Sequence, residues 1–177
     1  MRVFAILPIL ALVLAACASP GPQLGPDGRP LPKVYRIPAG QKDNVQFRLL
    51  DALNAVRQAS GARNLVYNAQ LNAAAATHSR DMSLQNRPWH FGSDGSSPLD
   101  RVARAGYNGD MLGENISESF ETELETLRAW LESPDTSGVL LDPRATDLGF
   151  EWFQEPSGKI WWTLITGQAA GGAPLTN

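Results

Sequence analysis

Between Leu131 and Leu148 the hydrophobic period of this chain changes, and that change limits the fold more than any other feature. Upstream, apolar residues recur at helical spacing; downstream they alternate. Leu148, Phe150 and Trp152 share one face of a strand, and Ile160, Trp162 and Leu164 share a face of another. Glu155-Pro156-Ser157-Gly158 between them suits a four-residue turn, so the spacing predicts a β-hairpin.

Four helices are predicted before it. The first starts at Asp43, carries Leu49, Leu50, Leu53 and Val56 on one face, and stops at Gly61. Asn68 caps a second with Leu71, Ala74, Ala75, His78 and Met82 on its apolar face. Ser97 as cap, Pro98 at the first helical position and Gly106 at the exit delimit a third, with Leu99, Val102 and Ala103 inward. Thr122 and Glu125 form a capping box for a fourth, whose Leu124, Leu127 and Leu131 point one way until Ser133-Pro134 ends it. Helices first and a hairpin last imply an α+β fold, with helices packed on a small antiparallel sheet.

The N-terminus places this domain in a cell envelope. Arg2 precedes an apolar run from Val3 to Leu14 that is short for a bilayer span and ends in small residues, as an export signal does. Leu14-Ala15-Ala16-Cys17 resembles the bacterial lipoprotein cleavage box, and Cys17 is the single cysteine of the 177 residues. The expectation is a signal peptide over residues 1–16, a lipidated Cys17 followed by a proline- and glycine-rich tether to residue 42, a folded domain over 43–168 and a flexible tail over 169–177. The expected location is the bacterial envelope, lipid-anchored, on the periplasmic side of the outer membrane if the source is Gram-negative. A net charge of −3 without a Lys/Arg cluster argues against a nucleic-acid partner.

The densest chemistry runs from His90 to Ile116. His90 follows Trp89 and opens a glycine-rich loop, while Glu114 stands between Gly113 and Asn115. A carboxylate close to imidazole can orient the ring for acid–base work or metal binding; the same pair can equally be a structural hydrogen bond that pins the loop. His78, on an apolar helix face, reads as a satisfied core residue rather than a ligand. Asn115 reads as a backbone clamp.

Several motifs in this region, taken in order, are similar to the bacterial, SCP-like branch of the CAP superfamily of cysteine-rich secretory, antigen 5 and pathogenesis-related proteins. They are His90-Phe91-Gly92-Ser93-Asp94-Gly95-Ser96-Ser97-Pro98, Arg101, Ala105-Gly106-Tyr107 and Gly113-Glu114-Asn115-Ile116, flanked by Leu53-Asn54-Ala55-Val56-Arg57, Trp130, Ser133-Pro134 and Leu148-Gly149. The resemblance covers roughly residues 45–168 and implies an α-β-α sandwich. It also implies a cleft containing His90 and Glu114, in a family whose fuller members place two histidines and two acids there, associated with divalent metal. Where such relatives read Ser-Pro-Gly-His-Arg, this chain reads Ser133-Pro134-Asp135-Thr136-Ser137, so Thr136 takes the place of the second histidine, with Asp135 the nearest substitute oxygen donor. Stable zinc needs about three good protein ligands, so neither a metal nor another cofactor is expected.

No Gly-x-Ser-x-Gly elbow, His-Glu-x-x-His helix or phosphate-cradling loop is present. The reading is a membrane-anchored module that binds a small hydrophobic ligand or an envelope partner in the His90, Glu114, Thr136 cleft. A peptidase-like hydrolase acting from the same cleft is the alternative, and a purely structural envelope protein the third possibility.

Overall fold

A computed structural model describes residues 34–171. Cys17, the signal peptide and most of the proline-rich segment lie outside the described residues. In chain order the elements are α1 (Lys42–Ala59), β1 (Val66–Tyr67), α2 (Ala69–Gln85), α3 (Pro98–Arg104), β2 (Gly109–Ser119), α4 (Glu123–Glu132), α5 (Pro134–Leu141), β3 (Asp147–Gln154) and β4 (Ile160–Ala169). The sheet order is β1-β3-β4-β2, antiparallel except for the parallel β1–β3 pair. Among the described residues, no helix is long and apolar enough to cross a membrane.

The hairpin is where the alternation puts it. Phe150 pairs with Leu164 and Trp152 with Trp162, and the turn closes with Gly158 N–H donating to the Glu155 carbonyl at 2.9 Å. Phe150 and Trp162 stack with ring centroids 5.5 Å apart and planes 8° from parallel. Their face of the sheet buries Val45, Leu49 and Leu53 of α1, Leu127 and Trp130 of α4 and Leu140 of α5. The opposite face is covered by α2 and α3 and has a much smaller apolar cluster: Leu71, Ala74, Ala75, Val102 and Ile165. Helices on both faces of one sheet make the α-β-α sandwich. On the second face α2 comes so close to β3 that a Cβ on Gly149 would run into the backbone of Leu71.

Asn68 caps α2 by accepting from the Gln70 and Leu71 amides, and the Ser97/Asp100 and Thr122/Glu125 pairs are both complete capping boxes. Other expectations need correction. Ser133-Pro134 ends α4 but also starts α5, because proline at a first helical position lacks only an amide the helix would not use. The buried face of α3 is Arg101 and Val102, whereas Leu99 is 63 % exposed. In α4 the buried residues are Glu123, Thr126, Leu127 and Trp130, and Leu124 is exposed. Glu114, which the residue pattern assigns to no element, lies within an 11-residue strand.

Residues 34–37, assigned by composition to the tether, lie against the domain. One side chain bonds them twice: Gln154 donates from Nε2 to the Tyr35 carbonyl at 2.8 Å and accepts the Ile37 amide on Oε1 at 3.0 Å. The Tyr35 amide donates to the Phe120 carbonyl at 2.9 Å. At the other end, β4 continues to Ala169, one residue into the expected tail.

Candidate functional site

The site is assembled from α2, the loop after it, α3 and β2. Asn86, with φ 47°, turns the chain out of α2. Gln85 then receives Trp89 Nε1–H on its Oε1 at 2.7 Å and donates to the Phe91 carbonyl at 3.2 Å. The loop over residues 92–96 is closed by Gly92 N–H donating to the Ser96 carbonyl at 2.8 Å, and Asp81 of α2 accepts from the Ser93 amide and hydroxyl at 2.7 and 2.6 Å. These bonds fix His90 between two anchored segments.

Glu114 projects from β2 into this frame with 2 % of its side chain exposed. Its Oε1 lies 2.9 Å from Nδ1 of His90, whose side chain is 51 % exposed, so the ring is held by one nitrogen while half of it faces solvent. Arg101 of α3, 4 % exposed, donates from one guanidinium nitrogen to both Glu114 oxygens at 3.0 and 2.7 Å. From its other terminal nitrogen it donates to the carbonyls of His90 at 2.9 Å and Ser96 at 3.2 Å. A buried carboxylate is costly unless its charge is offset and its lone pairs are engaged, and Arg101 does both.

His78 is fully buried on α2, and its Nε2 is 3.0 Å from the Trp89 carbonyl and 3.8 Å from Glu114 Oε1. A carbonyl only accepts, so Nε2 carries the proton. Burial, the largest influence, lowers the His78 pKa, against a smaller opposing pull from Glu114. The ring is therefore neutral at ordinary pH, and the 3.8 Å approach to Glu114 is not an ion pair. Its Nδ1 is buried without a partner, as is Arg101 Nε.

The structure joins His90 to Glu114 directly and does not bring Thr136 to them. Asn115, the next residue of β2, leaves the strand on the opposite face and donates to the Thr136 carbonyl at 2.9 Å. The Thr136 hydroxyl donates to the Trp130 carbonyl at 2.6 Å. Thr136 thus belongs to the α4–α5 junction, where Asn115 clamps it.

Arg101 is the functional residue that reading by residue type overlooked. The readable signal was its place beside Val102 and three residues after Pro98, on the inward face of a short helix, where an arginine needs a buried partner. Arg101 also lines a groove of about 600 Å³ between α2 and α3, together with Ala73, Ala74, Arg80, Arg104 and Ala105.

The donor set does not suit a divalent metal. Glu114 is engaged by a guanidinium, His78 Nε2 by a carbonyl and the Thr136 hydroxyl by another. Among the described residues no three His, Cys, Asp or Glu side chains form a group that could hold an ion.

Residues 50–165 match the model of the cysteine-rich secretory protein (CAP) family. The uncharacterised protein YkwD of Bacillus subtilis (strain 168) is 29 % identical over 121 residues, which cover 68 % of this chain and 46 % of that protein. The chain thus spans about half the length of the curated relative it matches. Among solved structures, an extracellular protein containing an SCP domain from Bacillus anthracis str. Ames superposes with a TM-score of 0.66 at 21 % identity, over 76 % of this chain and 45 % of that one. An outer surface protein of Borrelia burgdorferi superposes with a TM-score of 0.63 at 14 % identity, over 77 % of this chain and 98 % of that one.

Proposed function

The chain belongs to the cysteine-rich secretory protein (CAP) family, and from that premise we propose that it is a binding module of the bacterial envelope whose presented group is the His90 imidazole. The observation that carries this reading is the asymmetry of that ring. One nitrogen is held at 2.9 Å by a buried carboxylate, while half of the side chain faces solvent. A ring fixed in this way offers its Nε2 to a ligand at little cost in lost rotamer freedom. Phe91 beside it is 47 % exposed and supplies an apolar surface, which suits a small, largely hydrophobic ligand with one hydrogen-bonding group.

A histidine oriented by a carboxylate is also how hydrolases prepare a general base, and this supports the second reading, a peptidase-like activity. Binding is favoured because Arg101 already offsets the Glu114 charge, leaving less of it to stabilise an imidazolium. The location rests on the lipobox-like Leu14-Ala15-Ala16-Cys17 and agrees with the extracellular and outer-surface descriptions of the structural neighbours.

Native mass spectrometry of the full chain tests the reading. A bound small molecule is expected on the parent and lost in His90→Ala. A ligand retained unchanged by that variant would overturn the role of His90. Hydrolysis of peptide substrates that disappears in His90→Ala and Glu114→Gln would favour the enzyme. Cys17→Ser is expected to release the protein from membranes, and equal retention would end the anchor.

A further inference from the structure

Which nitrogen of His90 carries the proton decides what the ring can bind, and the neighbours of the ring fix the answer. Both Glu114 oxygens accept from the Arg101 guanidinium, at 3.0 and 2.7 Å, and a carboxylate paired in this way is an acceptor only. His90 Nδ1, 2.9 Å from Glu114 Oε1, must therefore donate. In the neutral ring that leaves Nε2 without a proton, an acceptor on a half-exposed side chain. His78 is held the opposite way, with its proton on Nε2, because its partner is the Trp89 carbonyl at 3.0 Å.

The backbone keeps the His90 ring from turning round. Three consecutive carbonyls accept from side chains of α2 and α3: Trp89 from His78 at 3.0 Å, His90 from Arg101 at 2.9 Å and Phe91 from Gln85 at 3.2 Å. Among the described residues, residues 88–91 make no backbone–backbone hydrogen bond, so these three side chains take that part. Nδ1 sits beside the carbon that attaches the ring, and Nε2 on its far edge. Bringing Nε2 to Glu114 would draw the His90 backbone off these partners, and flipping the ring in place would set a carbon against the carboxylate.

We infer that the cleft selects a ligand that donates a hydrogen bond: His90 is held as the Nδ1–H tautomer and presents Nε2 as an acceptor. A hydroxyl or N–H group on an apolar body is then bound in preference to an ether, a carbonyl or a carboxylate on the same body. This rests on the reading of His90 as the presented group and narrows it, with the exposed ring of Phe91 taking the apolar body. A protonated ring donates from both nitrogens and would lose the preference, so the selectivity belongs to the neutral state.

The test uses the full chain, which has only two histidines, at about pH 8, well above the ordinary histidine value of about 6.5. Heteronuclear NMR of the imidazole nitrogens reads the tautomers directly, and His90→Ala identifies which signals belong to which ring. The proton is expected on Nδ1 of His90 and on Nε2 of His78. A proton on His90 Nε2 would overturn the inference whatever the cleft binds. Three probes with the same apolar body are then titrated: para-ethylphenol, which donates, and para-ethylanisole and para-ethylbenzoate, which only accept. The phenol is expected to shift the His90 Nε2 signal and to bind about three- to tenfold more tightly than either of the others, a preference that disappears in His90→Ala. Binding of the anisole or the benzoate at His90 as tight as that of the phenol would overturn the donor selectivity and leave His90 as a binding group. No response of His90 to any probe, or a phenol preference unchanged in His90→Ala, would overturn both.

Discussion

The two faces of the sheet meet the same requirement, burial, by different physics. Against α1, α4 and α5 the strands bury a continuous apolar core centred on the Phe150–Trp162 stack. Against α2 and α3 the apolar cluster is small, and polar side chains share the interior with it: Arg101 donates to Glu114, Ser79 donates to Thr163, and His78 is fully buried against the Trp89 carbonyl. Apolar burial is roughly proportional to area and tolerant of geometry, whereas a buried ion pair stabilises only when each partner is present. The first face is therefore the source of stability and the second the place where chemistry is held in position.

Mutation should separate them. Trp162→Ala is expected to cost the most, about 4–5 kcal/mol, because it removes a fully buried ring and leaves a cavity beside Phe150. Urea denaturation measures it, and a loss below about 2 kcal/mol would show that this face is not the main core. Glu114→Gln is expected to cost about 3 kcal/mol, since it strands the Arg101 charge away from water. The contrast lies in additivity. Arg101→Met combined with Glu114→Gln should cost less than the sum of the two by at least about 1 kcal/mol, whereas Arg101→Met combined with Trp162→Ala should be additive within about 0.5 kcal/mol.

A smaller effect tests the edge of the apolar face. Gln154→Ala removes the two side-chain hydrogen bonds that Gln154 makes to residues 34–37 and is expected to cost about 1–2 kcal/mol. Hydrogen exchange at the Ile37 amide should accelerate in this variant. Unchanged protection would show that packing of Tyr35 and Ile37 alone is enough.

The faces also differ in how far they could be read from sequence. The apolar face was legible because period-2 alternation identifies a strand and its orientation together, so Phe150, Trp162 and Leu164 fell where expected. α5 was not, since Ser133-Pro134 signals an end and a beginning with the same residues. On the polar face His90, Glu114 and the burial of His78 were readable, His90 and Glu114 as an imidazole and a carboxylate within one motif-dense stretch. Arg101 had only the signal of its place beside Val102 on α3, and the exclusion of Thr136 had none, since it depends on β2 being a strand, where neighbours Glu114 and Asn115 point apart. Gly113-Glu114-Asn115 has neither the alternation nor the β-branched residues that announce a strand. Residues 34–37 were hidden because the side chain that bonds them twice is a glutamine more than a hundred positions away.

The finest test of the difference between the faces is pH, because among the buried groups of the polar face His78 is one whose pKa burial lowers. Its pKa is lowered from 6.5, chiefly by burial, with Glu114 pulling it up and Arg101 pushing it down. The unfolded chain therefore binds more protons than the folded one just below that pH, and stability rises with pH there. The contribution is fully present above about pH 6.5 and is lost as pH falls toward the lower folded value. Asp94, Asp100, Glu125 and Asp142 are also lowered, from 3.8 or 4.5, but what they contribute is lost only at more acid pH. Between about pH 6.5 and 5 the parent should thus lose stability by at most about 1.4 kcal/mol per pH unit from this residue. His78→Gln, which cannot titrate, should show a shallower fall of the urea midpoint over the same window. Parallel slopes would mean that a proton on His78 is accommodated by Glu114 at 3.8 Å. The polar face would then be as indifferent to acid as the apolar one, and the physical distinction drawn between them would fail where it is most specific.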